Sequence, residues 1–88
     1  MNIKDYETKV LNELKRINPK FKYSISVKYT HTTQLNNKIY NVTLEVEINA
    51  NESCTIGNSL SEKNLYRKLD KLSKRKRARN FNELRSLF

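Results

Sequence analysis

The chain has 88 residues, of which 36% are hydrophobic and 31% are charged, and a chain this short forms a single domain whose modest core leaves little room for a deep enzyme pocket. Lysine and arginine number 18 against 9 aspartates and glutamates, which gives a formal net charge of +9. Because compacting like charges costs free energy, this excess favours a binding module with an acidic partner, such as nucleic acid, an anionic membrane or an acidic protein surface.

The first predicted element is an amphipathic helix between Asp5 and Ile17. Its apolar residues recur at the three- and four-residue intervals of one helix face. Asn2 or Asp5 is the expected N-cap. Asn18 ends the helix because a residue that precedes proline is pushed out of the helical region. One face of this helix is therefore expected to be buried.

Two strands are predicted next, because apolar and polar residues alternate over residues 21–29 and again over residues 40–49. The polar stretch between them suits a turn, so we expect an antiparallel hairpin with one buried face. A short third strand is predicted over residues 53–56, with Cys54 facing inward. Gly57 is expected to end this strand, at a backbone position with positive φ or a close approach.

A second amphipathic helix follows, with Ser59 or Ser61 as its expected N-cap. Its apolar face is formed by three leucines, Leu65, Leu69 and Leu72. The sequence therefore predicts one α+β domain over residues 1–88, with an N-terminal helix, a three-stranded antiparallel sheet and a basic C-terminal helix in the order α-β-β-β-α.

Residues 73–88 are predicted to form a basic and apolar extension of this domain. Asn80 and Glu83, spaced three apart, have the pattern of a capping box that begins a short last helix. The apolar face of that helix is predicted to dock on a protein partner or to form a homodimer. The residues of this face are Phe81, Leu84, Leu87 and Phe88.

The positive charge is concentrated between residues 63 and 79, which hold nine basic residues and one acid, Asp70. Four of the basic residues fall within about 80° of each other on a helix, opposite the leucines. We therefore predict a cationic surface that binds phosphate and that loses affinity as salt rises. Its candidate residues are Lys63, Arg67, Lys68, Lys71, Lys74, Arg75, Lys76, Arg77 and Arg79.

Residues 57–72 resemble the second helix of double-stranded RNA-binding domains, in which a serine is followed by lysines and an apolar packing face. Here the stretch reads Gly57-Asn58-Ser59-Leu60-Ser61-Glu62-Lys63-Asn64-Leu65-Tyr66-Arg67-Lys68-Leu69-Asp70-Lys71-Leu72. The first helix is similar at Leu11-Asn12-Glu13-Leu14-Lys15, and the family has the same α-β-β-β-α order. The resemblance spans Asp5 to about Leu72.

The resemblance implies that the first helix, the loop between the first two strands and the start of the second helix contact duplex RNA. By position in the family pattern, Lys63 matches a lysine that contacts phosphate, and His31 lies in the loop that enters a groove. The chain departs from the pattern where Tyr29-Thr30 replace a Gly-Pro pair before His31, and where Glu62 replaces the first lysine of the helix.

The predicted function is that of a non-enzymatic nucleic-acid-binding module without a cofactor, with duplex or structured RNA favoured over DNA. The alternative is a small phage- or plasmid-borne inhibitor or adaptor that binds a host protein or nucleoprotein complex, for example an RNA-guided nuclease. Attachment to a membrane surface through the basic run and the apolar tail is a less favoured third hypothesis.

One histidine and one cysteine cannot supply a zinc site, and no disulfide can form within the chain. Cys54 and His31 are not expected to form a catalytic pair, because Cys54 falls on an inward strand position. No stretch approaches the roughly 18 apolar residues of a membrane-spanning helix, and the first residues lack the apolar run of a signal peptide. These features favour a reducing, cytoplasmic location.

Overall fold

Six elements follow one another in the computed structural model, which describes residues 2–88. They are α1 (Ile3–Ile17), β1 (Lys22–Thr32), β2 (Lys38–Asn49), β3 (Glu52–Ser61), α2 (Glu62–Lys74) and α3 (Phe81–Arg85). The predicted α+β class and α-β-β-β-α order, with a short terminal helix, are confirmed. Within the described residues, no helix is long and apolar enough to cross a membrane.

Local hydrogen bonds fix both ends of α1. The backbone N–H of Asp5 donates to Oδ1 of Asn2 at 3.2 Å, so Asn2 is the N-cap. At the other end, the backbone N–H of Asn18 donates to the carbonyl oxygen of Leu14 at 2.9 Å. The face that α1 turns inward is formed by Tyr6, Val10, Leu14 and Ile17, all of them buried.

The three strands form one antiparallel sheet in the order β1-β2-β3. Its inner face contributes Val27, Tyr40, Val42, Leu44 and Val46 to the core. Its open face is polar and carries charges of both signs, as where Lys22 lies opposite Glu47 on the neighbouring strand. This face therefore offers no surface of a single sign to a polyanion.

The third strand is longer than its sequence predicted. Gly57 lies in the middle of β3, where it pairs with Thr43, and its φ is not positive. Among residues 2–88 the one positive φ, 62°, belongs to Asn36 in the β1–β2 turn. The strand was predicted to end early because the polar residue Asn58 occupies an inward position, where the apolar–polar alternation would place an apolar residue. Its position is tolerated because its Nδ2 donates to the backbone oxygen of Phe88 at 3.1 Å.

The two longer helices run in the same direction across the inner face of the sheet. Near their starts, the hydroxyl of Tyr6 donates to the carbonyl oxygen of Leu65 at 2.9 Å. Near their ends, Nη2 of Arg16 donates to the carbonyl oxygen of Leu72 at 3.0 Å. The negatively polarised C-terminal ends of both helices therefore lie together at one end of the molecule.

The C-terminal residues belong to the core, which corrects the prediction that they form a docking face. Leu84 and Leu87 are 0% and 3% exposed, and Phe81 and Phe88 pack against the same cluster. The short α3 buries its leucines within its own chain, so they are not presented to a partner. The predicted capping pair does form, since Oδ1 of Asn80 accepts from the backbone N–H of Glu83 at 2.9 Å.

Burial of Tyr6 makes the stability of the fold sensitive to alkaline pH. Burial raises the pKa of Tyr6 from 10.0 to about 12. Because the neutral phenol is favoured in the folded state, its contribution is complete below pH 10 and is lost as the pH rises towards 12.

We therefore expect Tyr6→Phe to cost about 1 kcal/mol at neutral pH, through the lost hydrogen bond to Leu65. The difference between the two proteins should shrink as the pH rises above 10. Urea unfolding of both proteins over a pH series measures this difference. A constant difference up to pH 12 would contradict the assignment.

Candidate nucleic-acid interface

The outward face of α2 carries three basic side chains in line, Lys63, Arg67 and Lys74, which we call the α2 ridge. All three are exposed. Nη1 of Arg67 lies 3.4 Å from Oδ1 of Asn64, and Nζ of Lys74 pairs with the Asp70 carboxylate at 3.0 Å. Exposed pairs of this kind are weak and exchange readily with solvent or ligand. The α2 ridge therefore remains cationic.

Two of the predicted interface lysines contact the C-terminal residues. Nζ of Lys68, which is partly buried, donates to the backbone oxygen of Phe88 at 2.8 Å. Nζ of Lys71 donates to the carbonyl oxygen of Ser86 at 3.1 Å. Both lysines hold the end of the chain against α2, and Lys68 is the less accessible of the two.

The basic run after α2 is an extended segment, which we call the basic segment (residues 75–79). The backbone N–H of Ala78 donates to the carbonyl oxygen of Ile17 at 3.1 Å, and Nδ2 of the buried Asn18 donates to the carbonyl oxygen of Ala78 at 2.9 Å. Ala78 is thereby fixed inward. In an extended chain the residues on either side, Arg77 and Arg79, then face outward.

Arg16 fixes the start of the basic segment. Its Nη2 donates to the carbonyl oxygens of Leu72 at 3.0 Å and Arg75 at 2.7 Å. A cation at this place offsets the negative end of α2. The carbonyl oxygen of Leu72, which also accepts from the backbone N–H of Arg75 at 3.2 Å, thereby gains a second donor. The contacts of Arg16 and of the Asn18 side chain with the basic segment are not predicted by local sequence, because their partners lie about 60 residues further along the chain.

We expect Arg16→Gln to lower the free energy of unfolding by about 1 to 2 kcal/mol and to speed proteolysis within the basic segment. The glutamine keeps much of the aliphatic stem but loses the charged donor. Lys15→Gln is the matched control, since Lys15 is the exposed neighbour on the same helix turn. Urea unfolding and limited trypsin digestion measure both effects. Equal stability and digestion of the two variants would show that the Arg16 contacts do not hold the segment.

A concave site lies where the basic segment crosses the end of α1. Its cavity of about 360 Å³ is lined by Lys20, Arg77 and Arg79 together with Ile17, Asn18, Pro19 and Ala78. We call it the cationic pocket. A neighbouring hollow shares Arg77 and Arg79 and adds Arg75, Lys76 and Glu83. Lys20 is a further cation that the sequence analysis did not connect with this region.

His31 lies within β1 and not in a loop, which corrects its predicted placement. It pairs with Ile39 next to a bulge in β1, and its exposed ring contacts the hydroxyl of Thr30 through Nδ1 at 3.0 Å. Because Ile39 also pairs with Ser61, His31 is close to the start of α2. This placement brings it to the same end of the sheet as Lys63.

Glu62, the acid that replaces a lysine of the family pattern, is turned towards the sheet. Its carboxylate hydrogen-bonds to Tyr40, whose pKa is raised first by burial and second by the charge of Glu62. This contact engages the carboxylate at the start of α2. The acid therefore has a structural partner beside Lys63.

The residue types that bind metals, and the pair Cys54 and His31, are dispersed in the described part of the chain. Throughout residues 2–88, no three side chains among His, Cys, Asp and Glu are grouped as metal ligands. Cys54 pairs with Val46, whereas His31 pairs with Ile39, which lies seven positions earlier in β2. This separation is about 23 Å along the strand, so Cys54 and His31 cannot act together.

The cationic surface thus consists of the α2 ridge, the basic segment and Lys20. It runs along α2 and over the end of α1, on the opposite side of the molecule from the mixed-charge face of the sheet.

Comparison of the chain with protein-family models, with curated proteins and with solved structures finds no match.

Proposed function

We propose that the protein is a nucleic-acid-binding module that holds a phosphate backbone through the α2 ridge and the basic segment, with duplex or structured RNA favoured over DNA. One observation carries the proposal. In residues 2–88 the structure gives no hydrogen-bond or ion-pair partner to the side chains of Lys76, Arg77 and Arg79. These outward cations cost free energy through mutual repulsion unless an anion is present.

The dimensions of the surface suit a backbone ligand. From Lys63 to Lys74 the α2 ridge is about 17 Å long at 1.5 Å per residue. This length matches about five phosphates of one strand along the axis of a duplex. The basic segment extends the surface further, and its arginines can each donate two parallel hydrogen bonds to one phosphate.

The preference for RNA rests on the arrangement of the elements. Two parallel helices lie on one face of the sheet, and the β1–β2 hairpin lies beside the start of α2. A-form duplexes are recognised largely by shape, through separate contacts across the minor groove. The α2 ridge and, beyond its end, the basic segment with Lys20 provide two separate contact points for such recognition.

Burial of the C-terminal leucines weakens the alternative of an inhibitor or adaptor that docks through its tail. The exposed large apolar residues are Leu35, Tyr29 and Tyr66. Tyr29 and Tyr66 are about half exposed and both lie near Tyr40, whereas Leu35 lies in the β1–β2 turn. Exposed apolar residues in this number are usual in soluble proteins. The charge of the α2 side favours phosphate over an apolar partner surface.

The test is fluorescence anisotropy with duplex RNA, duplex DNA of the same sequence and single-stranded RNA over a series of KCl concentrations. We expect duplex RNA to bind most tightly. The logarithm of affinity should fall against the logarithm of salt with a slope of about −4 or steeper. If none of these probes binds at the lowest salt, the proposal is overturned.

A further inference from the structure

The cationic pocket has a rigid floor built from two distant parts of the chain. The hydrogen bonds from Ala78 to Ile17 and from Asn18 to Ala78 fix the backbone of both walls. Asn18 is only 4% exposed, and its Oδ1 also accepts from the backbone N–H of Lys20 at 3.0 Å. The pocket is therefore formed before any ligand arrives.

The charge that lines this pocket is of one sign. Lys20 contributes from one wall, and Arg77 and Arg79 contribute from the other. Among residues 2–88, no carboxylate lines the pocket. Glu83 lies in the neighbouring hollow, where its carboxylate accepts from the backbone N–H of Arg79. Three basic residues thus line the pocket together.

These cations are not needed to offset the negative ends of the helices. At the end of α2 that task belongs to Arg16, which donates to the carbonyl oxygens of Leu72 and Arg75. At the end of α1 the carbonyl oxygen of Ile17 accepts from Ala78. The charge of the pocket remains available to a ligand.

The charge of the lining suits a dianion. A phosphate monoester carries close to two charges and several acceptor oxygens at one end, whereas an internal phosphodiester carries one charge. Lys20, Arg77 and Arg79 are exposed, so a phosphate can reach them from solvent. Each arginine can donate two parallel hydrogen bonds to it.

We propose that the cationic pocket binds the terminal phosphate monoester of a nucleic-acid strand. The pocket lies beyond the end of the α2 ridge, where the chain leaves the helix at Arg75 and crosses α1. A strand that follows the ridge reaches the pocket with its end. That the phosphate belongs to a nucleic acid depends on the proposed function. Binding of a phosphate by Lys20, Arg77 and Arg79 does not depend on it.

The experiment compares one RNA duplex in three forms, with a 5′-phosphate, with a 3′-phosphate and with hydroxyl groups at all ends. We expect one phosphorylated form to bind about tenfold more tightly than the hydroxyl form, because charged hydrogen bonds are the strong ones. Anisotropy at constant ionic strength measures the ratio. Equal affinity of all three forms would overturn the proposal.

Single substitutions test which residues bind the terminal phosphate. Lys20→Gln and Arg77→Gln should each reduce the ratio between phosphorylated and hydroxyl ends to about one. Lys28→Gln on the open sheet face removes the same charge and should leave the ratio unchanged. Lys63→Gln on the α2 ridge should weaken binding of the phosphorylated and hydroxyl forms by the same factor. A ratio that survives in both pocket variants would contradict the assignment of these residues.

Titration with inorganic phosphate and with a nucleoside monophosphate separates this proposal from the general one. NMR should show shifts of the Asn18, Lys20 and Ala78 amides, absent with chloride at the same ionic strength. Binding of RNA without preference for a phosphorylated end leaves the proposed function intact and refutes the end site. Binding of free phosphate without any binding of RNA refutes the nucleic-acid source.

Discussion

Replacing Lys76, Arg77 and Arg79 together with glutamine is expected to weaken binding to duplex RNA on the order of 100-fold at low salt. The three side chains are exposed and have no hydrogen-bond or ion-pair partner within residues 2–88, so the substitution removes charge without removing such a contact. The slope of affinity against salt should become shallower by about 2 to 3, because fewer counterions are released. Anisotropy over a KCl series measures both quantities.

The matched control removes the same charge elsewhere, with glutamine at Lys9, Lys22 and Lys28. These exposed lysines lie on α1 and on the open face of the sheet. If net charge alone governed binding, the two triple variants would lose affinity equally. We expect the control to retain most of the affinity. A similar loss in both variants would refute a localised interface.

The second large effect concerns the C-terminal residues. Leu84→Ala is expected to lower the free energy of unfolding by about 2 to 5 kcal/mol, because Leu84 is 0% exposed and its removal leaves a cavity. This loss is a large share of the 5 to 15 kcal/mol that stabilises a typical domain. Urea unfolding monitored by circular dichroism measures it.

The same substitution at an exposed position is the control. Leu35 is 84% exposed in the β1–β2 turn, so Leu35→Ala should change stability by less than about 0.5 kcal/mol. Near-equal stability of the two variants would mean that α3 does not complete the core. The docking role predicted from the sequence would then regain support.

The sequence predicted correctly those elements in which the apolar residues follow one periodicity throughout. Strict alternation over β2 and the helical spacing of α1 each had one interpretation, and Ser61 and Asn80 are N-caps as their residue types favour. The prediction of β3 stopped too early because Asn58 interrupts the apolar alternation. Asn58 can occupy this inward position because its side chain donates a hydrogen bond to the backbone oxygen of Phe88, 30 residues further along the chain.

The remaining differences arise from contacts between distant residues. A short amphipathic helix has the same hydrophobic pattern whether it packs on a partner protein or on its own sheet. The pattern therefore could not predict that Leu84 is buried within its own chain. The cationic pocket joins Lys20 to Arg77 and Arg79 through hydrogen bonds across 60 residues. Local sequence showed the charge of the basic segment but not the residue that faces it.

A phosphate-binding surface on the helical side is tested most directly by residue-resolved NMR mapping of the protein during titration with duplex RNA. We expect the amides of α2, the basic segment and Lys20 to shift first and most. The amides on the open face of the sheet, near Lys22 and Glu47, should hardly move. Shifts concentrated on that open face, with residues 63–79 unaffected, would contradict a phosphate-binding surface on the helical side.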